Sequence, residues 1–535
     1  MEALRRCLQA LASQTQAPDT YEVIVADDGS TDGTLEMLGR VEAPFALRAL
    51  PLPHDGPWAA RNAAVEAASG PMCVFLDDNV RASPGLLAAH AAAHARERKL
   101  IVVGKLTHIA ASRDWYARAW SRDWYARAWA SACTDRYERL ARGDVSWADC
   151  SGANLSVART AVLEVGGFSR SGPVSQAEEL AFRLCERGWR PRYEADAHGT
   201  AVEVKRGGTL RADAVRLGAR RMTLAARTGD LAPVLVGWFG KATGREVMLR
   251  RLVLALRVPP RALAVAGPLI PGRRRQAWFG FVSRYAFWTG VSAVASRAQW
   301  RRLTTQVPVL MYHAFDETGR AQRYTVSRSR FRMQLRVLAA LRYRVVGLEQ
   351  LIESLRAQEL PRRAAVITID DGYLDNSEIA ARELRRAGYP AIVFLVAGRL
   401  GARNDWSLGD ELAGRPMLSV HEAKQMATGG ISVGAHTRSH PVLPEASDAG
   451  IRAEVDEVRT DLEGKLGRPV PLFSYPYGRF DDRAVAAARR RYVGACTTEP
   501  RLVGLGSDPF LLPRIEVHGT DSVLRFLRKL WLGGT

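Results

Sequence analysis

Three apolar runs in this chain end on paired acids. They read YEVIVADD at Tyr21–Asp28, PMCVFLDDN at Pro71–Asn79 and VITIDDGYLDN at Val366–Asn376. Repulsion and desolvation both oppose a buried strand that finishes on two like charges, unless something positive sits there. Helix-patterned stretches such as Ala59–Ser69 and Asn376–Ala387 alternate with these runs. That alternation predicts an α/β architecture with its chemistry at strand C-termini. A length of 535 residues calls for two or three domains.

The second half carries the densest chemistry. His436 and His440 follow the apolar strand ISVGA, and a further strand-like segment, LFSYPYGRFDD, runs from Leu472 to Asp482. Ends of parallel strands converge on one face. Two histidines and one aspartate make a three-ligand set for a catalytic divalent metal. Successive strand residues point opposite ways, so Asp370 and Asp371 can divide the work. One binds the cation and the other accepts a proton from water.

On the motifs PVLMYH, ITIDDGY, GAHTRSH and SYPYG, in that order, residues from about 307 to 520 resemble the polysaccharide deacetylases, the NodB-type carbohydrate esterases. The resemblance implies a distorted (β/α) barrel that hydrolyses N-acetyl groups on a GlcNAc-containing glycan or lipid-linked saccharide. It implies Asp370 as catalytic base and Asp371, His436 and His440 as metal ligands. Zinc suits the set, and cobalt, manganese or nickel also fit. Tyr475, Pro476 and Tyr477 match a groove wall whose backbone helps hold the oxyanion. His313 is expected to line the groove. His518 in LPRIEVHGTDS stands where a general-acid histidine is expected, and a structural role for it is an equal alternative.

The first half carries YEVIVADDGSTDGT, GPWAARN at Gly56–Asn62, VFLDDN at Val74–Asn79 and SGANLSVARTAVLEVGGF at Ser151–Phe168. On these blocks it resembles the family 2 glycosyltransferases of GT-A fold over nearly all of 1–230. The resemblance implies that Asp27, Asp28 and Arg61 bind a nucleotide sugar, expected to be UDP-linked. Asp77 and Asn79 stand where the family's DxD motif holds Mg or Mn on the diphosphate. Three departures matter. Asn79 replaces an acid. The positions of the usual acidic base read Gln176-Ala177, which leaves Glu178 or Glu179 for that role. The chain also begins one strand late, so the family's opening strand is expected upstream of Met1. His198 in DAHGT falls where some relatives place a late metal ligand, and a plain loop histidine is the simpler reading.

The formal charge is +20, and Leu231–Gln306 holds thirteen Arg and Lys against the single acid Glu246. Such a surface attracts nucleic acid, anionic lipid or sugar phosphates. There is no nucleic-acid recognition motif, so lipid or sugar phosphate is expected. The six cysteines are scattered and read as reduced thiols. The N-terminus has no secretory pattern, and Leu252–Ile270 is interrupted by RVPPR, so a surface-lying segment is expected there instead of a membrane span. The exact repeat SRDWYARAW at Ser112–Trp120 and Ser121–Trp129 reads as a duplication tolerated on a surface; an acceptor-binding aromatic face is the alternative. The expected organisation is 1–230 transferase, 231–303 basic helical linker and 304–535 deacetylase. The expected function is bifunctional, with the enzyme cytoplasmic and peripheral at the inner membrane. The alternative is an active deacetylase with a binding-only transferase domain.

Overall fold

The computed structural model describes residues 1–110, 123–143, 145–169, 176–203, 207–236, 252, 254–319, 322–406 and 411–534. The chain divides into two compact units. One is Met1–Lys241 with Val253–Ala295, and the other is Ala242–Leu252 with Ser296–Thr535.

The first unit holds β1 (Glu22–Asp27), β2 (Ala46–Pro51), β3 (Met72–Leu76), β4 (Val80–Ala82), β5 (Leu100–Ala110), β6 (Asn154–Ala158) and β7 (Arg190–Glu203). β1 and β2 form a parallel pair, and the rest form a mixed sheet in the order β3-β6-β5-β7-β4. Two of the acid-terminated runs thus become β1 and β3. The helix Glu2–Ala12 buries Leu4, Cys7, Leu8 and Leu11 along one stripe. That stripe packs with Val23 and Val25 of β1 and Val74 and Leu76 of β3.

Within the stretch expected as a linker, Val253–Ala295 clusters with the first unit. Helix Gly272–Val294 lies along helix Gly207–Thr228. Glycines permit the close approach: a Cβ on Gly218 would meet Phe287 O at 1.9 Å, and one on Gly290 would meet Val215 O at 1.9 Å. Phe279, Val282 and Tyr285 then bury against Trp124, Tyr125 and Leu210. This also corrects the reading of the repeat. Trp124 and Tyr125 of its second copy are core residues, because the helix Trp124–Ala141 turns them onto that cluster. The first copy, Ser112–Trp120, lies outside the described residues.

The second unit holds β8 (Val309–Tyr312), β9 (Ala314–Asp316), β10 (Thr325–Ser327), β11 (Arg344–Val345), β12 (Ala364–Ile369), β13 (Ala391–Leu395), β14 (Ile431–Ala435), β15 (Leu472–Ser474), β16 (Gly494–Cys496) and β17 (Ile515–Glu516). Eight of these form the parallel sheet of a distorted barrel in the order β16-β15-β14-β13-β12-β8-β17, with β11 beside β12. Both faces of the sheet are buried. Val309, Val366, Ile392 and Phe394 enter one apolar cluster, and Leu310, Ile367, Val393 and Leu395 enter another. This explains why VITI is apolar without alternation. The register pairs Ile369 with Val393, Leu395 with Ala435, and Ala435 with Phe473. The residues just after β12 and β14 therefore emerge at one end of the sheet, beside Ser474.

Candidate active site

β12 hands directly to Asp370 and Asp371, and β14 hands directly to His436. Backbone strain collects here. Asp371 (φ 69°), Thr437 (φ 65°), His440 (φ 63°) and Tyr477 (φ 56°) all occupy left-handed conformations without being glycine. Such a conformation costs about 1–3 kcal/mol per residue and persists only where surrounding structure enforces it. Its effect here is to aim side chains at one point.

Asp371 Oδ1 lies 3.4 Å from both His436 Nε2 and His440 Nε2. The two imidazole nitrogens are 3.2 Å apart. All three residues are buried, and among the described residues they are the one group of three His, Cys, Asp or Glu side chains close enough to share an ion. Their supports fix the donor atoms. His436 Nδ1 lies 2.8 Å from Ser474 O, a contact that turns Nε2 toward Asp371 and His440. Tyr373 Oη donates to the other oxygen of Asp371 at 2.9 Å, and Asn404 Nδ2 donates to Tyr373 Oη at 2.8 Å. Burial alone would raise the Asp371 carboxyl; the hydrogen bonds from His436 and His440 hold it well below the usual carboxylate range. Burial lowers His440; burial opposes the charge of His436 too, but the hydrogen bond with Asp371 and the charges of Asp370 and Asp371 together raise it. Two oriented nitrogens and one carboxylate oxygen around a single point fit a divalent cation.

Asp370 does a different job. Its neighbour is Arg514, a residue that sequence reasoning passed over. Arg514 is 0 % exposed. Its guanidinium donates to Asp370 Oδ1 and Oδ2 at 2.6 Å each. The remaining donors go to Thr368 Oγ1, Ser474 Oγ and Thr497 O. All five N–H groups of the side chain are thereby used. Burial opposes the Asp370 charge, but Arg514 and then His436 hold the carboxyl below its ordinary value. The positive partner demanded by the acidic pair is therefore arginine for one member and the histidine pair for the other.

His313 follows β8, with its ring edge-on to Tyr324 at 5.4 Å. His518 Nε2 donates to Glu516 Oε2 at 2.6 Å, and Asp521 accepts from the His518 backbone N–H. Glu516 is driven down to about 2 because the hydrogen bond from His518, then His313 and Arg323, outweigh burial. In the expected groove segment, Tyr475 and Pro476 bury their side chains, the Tyr475 ring packing against Phe473 and Phe480. Tyr477, turned outward by its positive φ, is 50 % exposed and edge-on to His440 at 4.6 Å. Trp406, also missed, stacks on His440 from 4.8 Å.

The strand ends of the first unit look different. Asp27 accepts from Ser30 N, and Asp28 Oδ1 accepts from the backbone N–H groups of Asp55 and Gly56 at 3.0 Å. Arg61 lies 3.5 Å from Asp77 and donates to Gln176 Oε1 at 2.8 Å. It thus joins the DxD position to the start of helix Gln176–Cys185. The backbone carbonyl of Asn79 accepts from Val202 N, and His198 Nε2 sits 2.9 Å from Thr107 Oγ1. Glu179 is clamped by Arg183, which also donates to Val165 O and Gly167 O. Glu178 lies 3.4 Å from the buried Arg221. Burial raises Glu178 despite that arginine. Both candidate bases thus have arginine partners.

Comparison with known proteins follows the same division. The family described as Glycosyl transferase family 2 matches residues 2–158, and the Polysaccharide deacetylase family matches residues 357–493. A poly-β-1,6-N-acetyl-D-glucosamine N-deacetylase of Staphylococcus aureus is 24% identical over 229 residues, covering 41% of this chain and 76% of that protein. A validoxylamine A glucosyltransferase of Streptomyces hygroscopicus subsp. limoneus is 39% identical over 95 residues, covering 17% of this chain and only 21% of that protein. The solved Streptococcus pyogenes deacetylase PplD, in complex with acetate, is 25% identical, with 42% of this chain and 98% of that chain covered and a TM-score of 0.38. The chain therefore joins a family 2 glycosyl transferase domain of GT-A type to a polysaccharide deacetylase domain of barrel type.

Proposed function

We propose that the protein is a bifunctional carbohydrate enzyme whose C-terminal domain is a metal-dependent N-deacetylase of a GlcNAc-containing glycan or glycolipid. The observation that carries this reading is the split of the acidic pair, Asp371 toward two histidine nitrogens and Asp370 toward Arg514. Asp371, His436 and His440 would hold the cation, with zinc suited to the donors. A divalent metal there supplies Lewis acidity toward the acetyl carbonyl and toward water. Asp370, kept ionised by Arg514, takes the proton of the attacking water. The pairing also fixes its orientation, because both oxygens are bonded in one plane. His518, bonded to Glu516, is the group that returns a proton to the departing amine, and His313 faces the same Glu516. The exposed Tyr477 ring forms a wall along which the sugar lies.

Acetate release from chitooligosaccharides and from a lipid-linked GlcNAc tests this, using protein stripped of metal and then reloaded with zinc. Zinc-dependent release that disappears in Asp370→Asn is the expected result. Failure of the purified protein to take up any divalent metal would overturn the ligand assignment.

For the N-terminal domain the reading is transfer of a sugar from a nucleotide donor, UDP-linked, with Mg or Mn at Asp77 and Asn79. Asp27, Asp28 and Arg61 would contact the nucleotide. A binding-only domain is the second reading, favoured by the ion pairs that occupy Glu178 and Glu179. Calorimetry with UDP-sugars alongside a transfer assay separates the two. A nucleotide-sugar donor supports a cytoplasmic setting, and the basic stretch 231–306 supports contact with an anionic inner-membrane surface. No helix among the described residues is long and apolar enough to cross a membrane.

A further inference from the structure

The stretch that buries one side against the first unit leaves another side uncovered. Leu254, Val258, Leu263, Ala264 and Phe279 pack into the cluster around Trp124 and Tyr125. Leu256, Val265 and Leu269 stay out of that cluster and are 67, 75 and 85 % exposed. Three large aliphatic side chains at that exposure on one short segment are unusual for a surface facing only water. Arg257, Arg261 and Arg274 are exposed among them. No Asp or Glu occurs anywhere between Glu246 and Asp316. Trp278 is half-buried at the edge of this face, its Nε1 donating to Leu263 O at 3.1 Å.

We infer that the face formed by Leu256, Val265 and Leu269 with Arg257, Arg261 and Arg274 seats the protein on an anionic lipid bilayer. The aliphatic side chains enter the headgroup–acyl boundary and the guanidiniums meet lipid phosphates. This inference deepens the membrane part of the proposed function and rests on it. It does not depend on either catalytic assignment. The chemistry selects the partner. A soluble polyanion would engage the arginines but has no use for protruding leucines. A second copy of the chain would bring the same positive charge and no acid from this stretch to meet it. A bilayer with anionic headgroups offers both an apolar layer and negative charge at the depths required. The fold supports this geometry. The segment is braced from behind by Trp124, whose Nε1 donates to Ala264 O at 3.1 Å, so its outer side chains are presented by a fixed scaffold.

The test uses the full chain and sedimentation with phosphatidylglycerol–phosphatidylcholine vesicles, against phosphatidylcholine vesicles alone. Two variants are compared, Leu256→Ser/Val265→Ser/Leu269→Ser and Arg257→Glu/Arg261→Glu/Arg274→Glu. Circular dichroism serves as the control for intact protein, and none of these residues belongs to the catalytic machinery. The expected result is binding to the anionic vesicles that each triple variant weakens at least about tenfold. Salt should weaken the wild type more than it weakens the arginine variant. Loss in the arginine variant with full binding in the serine variant would leave the membrane reading standing and overturn this face. No binding to anionic vesicles at low salt would overturn both. A dimer that becomes monomeric in the serine variant would assign the face to self-association and overturn the inference.

Discussion

The two halves of this protein end their strands on acids in the same way and then treat those acids differently. In the barrel, Asp370 and Asp371 are buried and answered by Arg514 and by two histidines delivered from another strand. In the GT-A unit, Asp28 binds backbone N–H groups of its own neighbourhood and Asp77 lies 3.5 Å from Arg61. A site built for a small ion can be assembled almost entirely from protein, because a few side chains enclose it. A site for a nucleotide diphosphate has to stay open, so its acids keep local partners that a ligand can displace. The contrast teaches that convergence of charged groups is a stronger sign of readiness in the first case than its lack is a sign of failure in the second.

The largest effect that could break this comparison is at Asp370. Asp370→Asn should lower acetate release about 10³-fold while metal content, measured by atomic emission, stays unchanged. If metal is lost as well, the division of labour between the two acids is wrong. Next comes Arg514→Gln, which leaves a buried carboxylate without its counter-charge. It should destabilise the second unit by about 3–5 kcal/mol in urea titration and flatten activity with it. Little change in either would show that Asp370 is neutral in the fold.

Glu383 sharpens the comparison by showing an acid with three arginine partners and no chemistry. Arg328, Arg332 and Arg386 all reach it. The hydrogen bond from Arg332 leads in holding its pKa down to about 2 from an ordinary 4.5. Because the folded value lies below the unfolded one, the stabilisation is complete above pH 4.5 and is lost as the pH falls toward 2. Glu383→Gln should therefore cost about 1–2 kcal/mol at neutral pH, given partly exposed arginines, and this difference should shrink steadily below pH 4.5. A difference independent of pH would refute the charge origin. The smallest effect belongs to the other unit. Glu179→Gln loosens the clamp of Arg183 by about 1 kcal/mol and leaves any sugar transfer within about threefold. Abolished transfer in a stably folded variant would make Glu179 the base after all and bring the two halves closer together.

How much of this could be read in advance varied with the kind of signal. Asp371, His436 and His440 were legible because each directly ends or follows an apolar strand, and parallel strands bring such ends together. Arg514 was not, because an arginine inside LLPRIEV carries no local pattern; its role exists only once the barrel places it beside β12. The outward turn of the Tyr477 ring was not legible either, because it comes with a positive φ that alternation cannot foresee. The stretch 253–295 read as a linker because its charge dominated its composition. Gly218 and Gly290, which let two helices touch, are 72 positions apart and look unremarkable singly. Glu178 and Glu179 were picked by elimination from a motif, which could not show that Arg221 reaches one and Arg183 the other.

The Arg514–Asp370 pair spans 144 residues of chain. During synthesis, Asp370 is therefore made well before the residue that carries its counter-charge. A chain that stops short of Arg514 would leave this buried carboxylate with histidines alone to offset its charge. The pair can close only when the segment that leads into β17, the last strand of the second unit, has been added.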